Sequence, residues 1–337
     1  MTQTLKQSSI VSYLDYFIAN TKFRSISGGR IGLSVRAVAN YTNFRIVFKD
    51  FENYFSGSLC FNELNKSNVD AFKHWLLIER AYSDNHAGRL MGTLKTICVD
   101  AKKNEIEVNP YINYVSGFAQ ARQDKHINIL TFSDLERIER VNLPSERLEN
   151  TRKWIIIGFW LGQRVSDLLA ISKLNIRSAP NGGVYVDIIQ KKTRTAVTVG
   201  VINPLVVKII THHFPRRIGD RCFNRYMKEV LELAAINEEV KGYQYNSESK
   251  RKEIGLFPKF QVISSHDLRR SFATNFFGKI ETPILMNMTG HSRESTFLSY
   301  IGRNNNRDAY ADIFMNGVLK IQESRSLNEG YAKAVAM

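Results

Sequence analysis

Cysteine is scarce in this chain of 337 residues, which contains only three. Cys60, Cys98 and Cys222 lie far apart, no CxxC pair occurs, and no group of cysteines and histidines has zinc-ligand spacing. These absences exclude a disulfide framework and a structural zinc site of the common types. The three thiols are therefore expected to be free, as in a reducing cytoplasm.

Long apolar segments are also missing. The most apolar run, residues 154–161, is far shorter than the roughly 20 residues that a membrane-spanning helix needs. The first residues have neither a long apolar core nor a small-residue cleavage site, so no signal peptide is expected. We therefore expect a cytoplasmic protein without a membrane partner, whose 43% hydrophobic residues suffice for a sizeable core.

Acidic residues are too few to balance the basic ones. The 32 Asp and Glu residues stand against 47 Lys and Arg residues, which gives a formal charge of +15. A surplus this large favours a polyanionic partner, because each Lys or Arg placed against a phosphate releases a condensed counterion. Charge alone does not select nucleic acid, since ribosome-associated and membrane-surface proteins share the bias and a solvated basic surface needs no partner.

The first 125 residues carry a helical pattern. Val38, Tyr41, Phe44, Phe48 and Phe51 recur at steps of three and four residues, which predicts one buried helix face. Basic side chains on the helices of this region either contact a DNA backbone or are simply solvated: Arg80, Arg89, Lys95, Lys102 and Lys103.

A polar stretch at residues 120–128 has no periodic pattern. It follows Asn109-Pro110, which ends the helical region because the residue before a proline disfavours the α conformation. We interpret the stretch as a linker and expect two domains, residues 1–125 and 126–337.

The second region begins with helices and then changes its period. Residues 131–134 resemble a capping box, and residues 154–161 are apolar nearly all round, as in a central buried helix. The segments VYVDIIQ and TAVTVGVI alternate on either side of a three-residue turn, residues 192–194, and predict a β-hairpin. Residues 237–262 are charged and weakly periodic, which predicts a loop or a loosely packed connection. The expected fold class is mainly α, with a small antiparallel β-hairpin or sheet in the second domain.

Six side chains of the second region could together act on a phosphodiester: Arg164, Lys192, His266, Arg269, His291 and Tyr300. Arginine forks bind phosphate oxygens, lysine and histidine transfer protons, and a tyrosine can be a nucleophile. This chemistry needs no metal and no cofactor. Each signal is weak by itself, and their order and spacing together indicate a site.

The same residues also have plain structural readings. Asp167 could pair with Arg164 as an ordinary ion pair, which a charge entering an apolar region needs. A tyrosine on an amphipathic helix, such as Tyr300, is more often a core residue than a nucleophile. Lys192 has a rival in Lys191, which alternation would send to the opposite side of the hairpin.

In order and spacing, these motifs resemble the tyrosine recombinase (phage integrase) family over residues 128–320. The matching positions are Arg164 in LGQRVSDLL, Lys192 before a threonine in the hairpin, His266 and Arg269 in HDLRR, His291 in TGHS, and Tyr300 nine residues later. The first region resembles, with weaker signals, the helical core-DNA-binding (SAM-like) domain of the family. Three departures, Gln163, Gly200 and Arg293, touch no reacting group.

The resemblance implies an enzyme that cleaves and rejoins DNA through a 3′-phosphotyrosyl intermediate, without metal or ATP. Its second domain would be the mixed α/β catalytic domain. The implied roles are phosphate binding by Arg164, Arg269 and His291, attack by Tyr300, proton acceptance or positioning by His266, and protonation of the 5′ oxygen by Lys192.

Partners also follow from the resemblance. They are double-stranded DNA with specific recombination sites, a homotetramer on that DNA, and accessory DNA-bending proteins; a mobile-element integrase is the expected type. A terminal helix at residues 309–319, with Tyr310, Ile313, Phe314 and Val318 at helical spacing, is expected to pack either on a neighbouring subunit or on its own domain. Two alternatives remain, a type IB-like DNA topoisomerase and a non-catalytic DNA-binding protein.

Overall fold

The computed structural model describes residues 9–26, 30–119, 126–249, 251–301, 308, 311–319 and 322. They divide into two units, Met1–Lys125 and His126–Met337, each with its own hydrophobic core. Tyr310 and residues 120–125 of the expected linker lie outside the described residues. None of the described helices combines the length and the apolarity that a membrane crossing requires.

The first unit is helical. Its elements are α1 (Ile10–Ala19), β1 (Ser25–Ile26), β2 (Arg30–Ile31), α2 (Val35–Phe55), α3 (Lys66–His74, continued by a π turn at Trp75–Glu79) and α4 (Asp84–Lys103), with 3₁₀ turns at Thr21–Phe23, Phe61–Glu63 and Pro110–Tyr114. The side-chain oxygens of Ser9, Ser34 and Asn65 accept backbone N–H groups in the first turns of α1, α2 and α3. These caps fix where each helix begins.

The predicted apolar face of α2 is confirmed as the centre of this core. Phe44, Phe48 and Phe51 are at most 1% exposed. The ring of Phe72 on α3 lies 5.1 Å from that of Phe48 and 4.9 Å from that of Phe51, between centroids. Since burying such a ring contributes about 1.5–3 kcal/mol, this aromatic cluster is a main source of the stability of the unit.

The second unit is mainly helical with two small antiparallel sheets, which confirms the expected fold class. Its elements are α5 (Phe132–Arg140), α6 (Glu146–Leu161), α7 (Val165–Leu168), β3 (Ile176–Ser178), β4 (Val184–Ile189), β5 (Ala196–Val201), α8 (Pro204–His212), α9 (Asp220–Leu233), β6 (Glu239–Asn246), β7 (Arg251–Pro258), α10 (Lys259–Val262), α11 (Ser265–Phe276), α12 (Thr282–Thr289) and α13 (Glu294–Tyr300), with a 3₁₀ turn at Lys173–Asn175. Residues 311–319 are also helical.

Helix α6 runs through the core of this unit, as predicted. Trp154, Ile155 and Phe159 are at most 1% exposed, and the indole N–H of Trp154 donates to the carbonyl of Arg216 over 2.9 Å. The predicted capping box is confirmed at the start of α5, where Thr131 and Asp134 bond reciprocally. A fixed α6 matters for the site, because the first arginine motif begins where this helix ends.

The predicted hairpin is confirmed as β4 and β5, with β3 as a third strand. The inward positions of β4, Val184, Val186 and Ile188, are at most 5% exposed. The backbone N–H of Gln190 donates to the carbonyl of Thr195 over 2.9 Å and closes a four-residue turn, one residue longer than predicted.

The prediction of a loop at residues 237–262 is wrong. Strands β6 and β7 pair there over their full lengths, and α10 follows. Alternation was hidden because Gly242 takes an inward position: a Cβ at this residue would lie 2.7 Å from the side chain of Val262. The opposite face is exposed and mixes charged residues with Tyr245, which is 64% exposed. A ribbon with one small inward residue and one wet face lacks the clean period-two pattern.

Candidate active site

Arg164 takes its place from a sharp end to α6. Gly162 ends the helix in the left-handed region, with φ of 62°, and a Cβ there would lie 2.4 Å from the ring of Phe272. Only glycine fits this combination without strain. The chain then turns, and Arg164 precedes the first residue of α7. Its side chain is half-buried, and Nη1 donates to Oε1 of Gln190 over 2.8 Å.

Asp167 does not form the ion pair with Arg164 that its position suggested. Its buried Oδ1 accepts the backbone N–H of Lys191 over 3.1 Å, so it holds the start of the hairpin turn instead. Oδ2 is also buried and bonds to no described protein group. Arg164 is therefore free of a bonded carboxylate within the described part of the chain.

Helix α11 presents His266 and Arg269 from its first turns, after a capping box between Ser264 and Asp267. Arg269 is 1% exposed; Nη1 donates to the carbonyl of Gly162 over 3.1 Å, and Nη2 donates to the carbonyl of Thr289. Burial lowers the pKa of this guanidinium to about 10. Neutral carbonyls thus hold the cation in place, and no carboxylate among the described residues bonds to it, although the charge of Asp167 acts on it from a distance.

His291 follows Gly290, which ends α12 with φ of 64°. The Thr289 hydroxyl donates to the carbonyl of Leu285 over 2.6 Å, so it accepts from Nδ1 of His291, 2.8 Å away. This assigns the proton of the neutral ring to Nδ1 and leaves Nε2 free. Burial first, and then the positive charges of Arg269 and Arg164, lower the pKa of His291 to about 4.

Tyr300 is the last residue of α13, and its half-buried ring lies between the two histidines. Ring centroids are 5.3 Å apart for His266 and 5.2 Å for His291, and the Arg269 guanidinium lies 5.9 Å from the ring. The hydroxyl donates to the backbone carbonyl of His266 over 3.3 Å. Burial raises the pKa of Tyr300 to about 12, against the opposing positive charges of Arg269 and Arg270.

His266 has a lowered pKa, first because of desolvation and then because of the positive charge of Arg270. Its ring is therefore neutral near pH 7 and is edge-on to the phenol of Tyr300, although the hydroxyl bonds to the backbone rather than to the ring. A neutral imidazole next to a phenol can accept a proton.

Lys192 is not brought to this cluster. It lies exposed in the turn between β4 and β5, as does Lys191, and the described residues provide no hydrogen bond or ion pair to its side chain. The structure thus gathers five of the six predicted side chains and leaves the lysine on a turn beside them: Arg164, His266, Arg269, His291 and Tyr300.

Sequence reasoning missed the polar residues beneath the cluster. Gln163 and Gln190 are fully buried, and their side chains are joined by a 3.0 Å bond from Nε2 of Gln190 to Oε1 of Gln163. A signal existed for Gln190: alternation from Val184, Val186 and Ile188 continues inward to this position. An amide where an apolar residue is expected indicates buried partners.

The chain shares a domain and a fold with known proteins. A family model described as a phage integrase SAM-like domain matches residues 9–116. No curated protein matches the sequence significantly.

Three similar solved structures extend over both units. A lambda integrase tetramer bound to a Holliday junction has 13% identity and a TM-score of 0.62, covering 89% of this chain and 79% of that one. XerH recombinase bound to a palindromic difH substrate has 13% identity and a TM-score of 0.59, covering 92% and 96%. The Tn1549 transposon integrase in complex with transposon right end DNA has 14% identity and a TM-score of 0.56, covering 91% and 99%. At these identities the likeness establishes the fold.

Proposed function

We propose that this chain is a tyrosine recombinase that cleaves and rejoins DNA through a 3′-phosphotyrosyl intermediate, which the SAM-like domain match and the shared fold support. The observation that carries the proposal is the Tyr300 phenol packed against two histidines and beside a buried arginine that bonds to no carboxylate among the described residues. Cations without a bonded anion, next to a potential nucleophile, fit an anionic substrate better than a core.

The scissile phosphate is bound by Arg164 and Arg269. The guanidinium of Arg269 is held by the carbonyls of Gly162 and Thr289, so it does not reorganise when charge grows on the phosphate oxygens. His291 offers Nε2. Because a phosphate anion between these groups favours the protonated imidazole, DNA binding raises the low pKa of His291 and turns Nε2 into a donor.

Tyr300 attacks phosphorus after losing its proton. With a raised pKa the phenol needs a base, and the neutral imidazole of His266 accepts the proton once the hydroxyl turns from the backbone carbonyl to the ring. The new phenolic O–P bond forms as the bond from phosphorus to the 5′ oxygen breaks. The phosphotyrosine conserves the bond energy, and a 5′-hydroxyl reverses the step.

Lys192 protonates the departing 5′ oxygen. Its exposed position in the turn implies that the turn moves onto bound DNA before it acts. Lys191 remains the rival for this role; its backbone N–H is bonded to Asp167, whereas no described residue makes such a bond with Lys192.

Site-specific strand exchange requires two cuts in each of two duplexes, hence a tetramer on specific DNA sites. The similar lambda integrase was solved as a tetramer on a Holliday junction, which supports this assembly. Phe314, Met315 and Leu319 of the terminal helix are 71%, 53% and 54% exposed, which favours packing on a neighbouring subunit. Integration of a mobile element, aided by DNA-bending proteins, is the proposed biological role.

Covalent capture tests the function. We expect the protein to form a covalent adduct with members of a library of nicked duplexes that have a randomised core. Mass spectrometry should identify Tyr300 as the residue linked to the DNA. Tyr300→Phe removes the nucleophile and should form no adduct. His213→Asn, at an exposed position far from Tyr300 in the sequence, should form the adduct as the wild type does. An adduct that persists in Tyr300→Phe would refute the assignment.

A plasmid with two copies of the selected sequence separates the two enzyme classes. Recombinant products support a recombinase. Relaxation without recombinants would instead support a topoisomerase that uses the same residues.

A further inference from the structure

Gln190 is the one buried amide that bonds directly to Arg164 in the described residues. It follows β4, and its side chain is fully buried. Oε1 accepts from Nη1 of Arg164 over 2.8 Å and from the hydroxyl of Thr193 over 3.0 Å. Nε2 donates to Oε1 of Gln163 over 3.0 Å and to the carbonyl of Thr289 over 3.3 Å. The amide thus uses two acceptor and two donor positions, and its orientation is fixed by its neighbours.

These four bonds join motifs that lie far apart in the sequence. Arg164 belongs to the first arginine motif, and Thr193 directly follows Lys192 in the turn. The carbonyl of Thr289 also accepts from Arg269, so Gln190 and the second arginine share one acceptor.

The histidine motif meets the same amide. Gly290 precedes His291, and a Cβ at Gly290 would lie 2.3 Å from Oε1 of Gln190. The backbone that carries His291 therefore packs directly on the Gln190 side chain. Gln190 therefore contacts groups that hold the phosphate-binding side chains in place, and it also contacts the turn that carries Lys192.

We propose that Gln190 is a positioning residue for the reaction: it holds the Arg164 guanidinium for the phosphate and anchors the Lys192 turn through Thr193. This inference rests on the proposed function. Among the described residues, the amide oxygen accepts hydrogen bonds from Arg164 and Thr193, one support for the phosphate and one for the leaving group. Gln190 does not touch the reacting atoms itself.

A role in folding alone predicts a different outcome from a positioning role. An inward residue at the end of β4 could serve the core, and its loss would then slow the reaction of every substrate by the same factor. A positioning role predicts losses that depend on the substrate. The loss shrinks when the substrate needs less help from the arginine or from the lysine.

The test compares single-turnover adduct formation on three versions of the duplex selected by covalent capture. The first has the natural phosphate. The second has a methylphosphonate at the scissile position, which lacks one negative charge and depends less on Arg164. The third has a 5′-bridging sulfur, a good leaving group that needs no proton from Lys192.

Gln190→Met fills similar volume without hydrogen bonds and is the main variant. We expect adduct formation on the natural phosphate to fall about 10²-fold, as on loss of one fixed donor in other active sites. The loss of rate caused by Gln190→Met should shrink to about tenfold on the methylphosphonate. It should also shrink on the sulfur substrate, as the loss of rate caused by Lys192→Ala does, so Lys192→Ala serves as the reference there.

Ile188→Ala is the matched control. It truncates the preceding inward residue of β4, which is 5% exposed and bonds to none of the site residues. It should lower the thermal midpoint while leaving the ratios of rates among the three substrates at their wild-type values.

Thr193→Val gives a second route if Gln190→Met does not fold. Thr193 is exposed, so we expect the variant to fold, and the change removes one hydrogen bond to Oε1 of Gln190. The expected result is a several-fold loss on the natural phosphate that disappears on the sulfur substrate but persists on the methylphosphonate.

The outcomes separate this inference from the proposed function. If folded Gln190→Met, or Thr193→Val in its place, kept the wild-type ratios among the substrates, Gln190 would have no positioning role and the recombinase would stand. If the wild type formed no tyrosine adduct on any of the three substrates, the function itself would fall, and the role of Gln190 with it.

Discussion

Each unit of the chain places an arginine next to a tyrosine, and the two pairs differ in burial and in the group bonded to the arginine: the Arg24 side chain is 19% exposed, whereas Arg269 is 1% exposed. In the first unit, Asp100 accepts from Arg24 in two bonds and from the Tyr13 hydroxyl over 2.6 Å. Desolvation acts against the charge of Arg24, yet these bonds raise its pKa. In the second unit, no carboxylate among the described residues bonds to Arg269 or Tyr300, and burial lowers the pKa of the arginine to about 10.

The missing carboxylate distinguishes a structural pair from a candidate site. A buried cation that is bonded to an anion is satisfied and has little reason to bind a ligand. A buried cation that is held only by neutral carbonyls carries a desolvation penalty that an incoming phosphate relieves.

The largest expected effect is on Arg269. Arg269→Ala should slow adduct formation about 10³-fold, because a fixed donor to the developing charge is lost. It should cost less stability than a broken ion pair, because no carboxylate among the described residues bonds to the charge that it removes. Single-turnover capture and urea unfolding measure the two quantities on the same protein. A slow variant that also unfolds as readily as an Arg24 variant would remove the contrast between the two arginines.

Arg24→Ala should reverse that profile. It leaves the half-buried Asp100, at 17% side-chain exposure, without its cation, and we expect a loss of about 3 kcal/mol in the free energy of unfolding. Adduct formation per folded molecule should stay at the wild-type rate when DNA is saturating. Arg45→Ala, which breaks a more exposed pair with Asp15, provides the control and should cost less than about 1 kcal/mol.

The smallest effect concerns pH. The pKa of His291 is lowered to about 4 in the folded protein, below that of an unfolded histidine near 6.5. The unfolded state therefore binds more protons between these values, and the contribution of His291 to stability is present above pH 6.5 and is lost as pH falls towards 4. His291→Gln should flatten the decline in unfolding free energy between pH 6.5 and 4.5, whereas His213→Asn should not.

DNA extends the same measurement. Phosphate bound beside Arg269 and Arg164 should raise the pKa of His291, so NMR of the imidazole in the complex should show protonation at a higher pH than in the free protein. A value that stays near 4 on DNA would exclude His291 as a donor to the phosphate.

Much of the second unit could be predicted from local patterns. Helix α6 and the β4–β5 hairpin follow from apolar runs and alternation, and residues that are neighbours in the sequence suffice to predict both. The five gathered side chains were candidates because each lies in a short motif with its own spacing. What brings them together are carbonyls, such as those of Gly162 and Thr289, and a backbone carbonyl has no residue type to read.

Other features depend on contacts made across long stretches of chain. Gln190 gains its meaning only from Arg164 and Thr289, 26 and 99 residues away. The β6–β7 ribbon was hidden because Gly242 makes room for Val262, which a one-dimensional pattern does not show. The alternative pairing of Arg164 with Asp167 was reasonable by proximity, and the chain instead directs that carboxylate to the backbone of Lys191.

The left-handed peptide at Gly162 has a consequence for how such a site can vary. The carbonyl of this residue accepts from Arg269, and two positions later the chain delivers Arg164. One backbone unit thereby sets the distance between two cations that come from segments about a hundred residues apart, and no pair of matching side chains is needed. The surrounding residues can therefore vary. Any residue with a Cβ at position 162 would strain the turn, clash with Phe272 and displace the two arginines relative to each other.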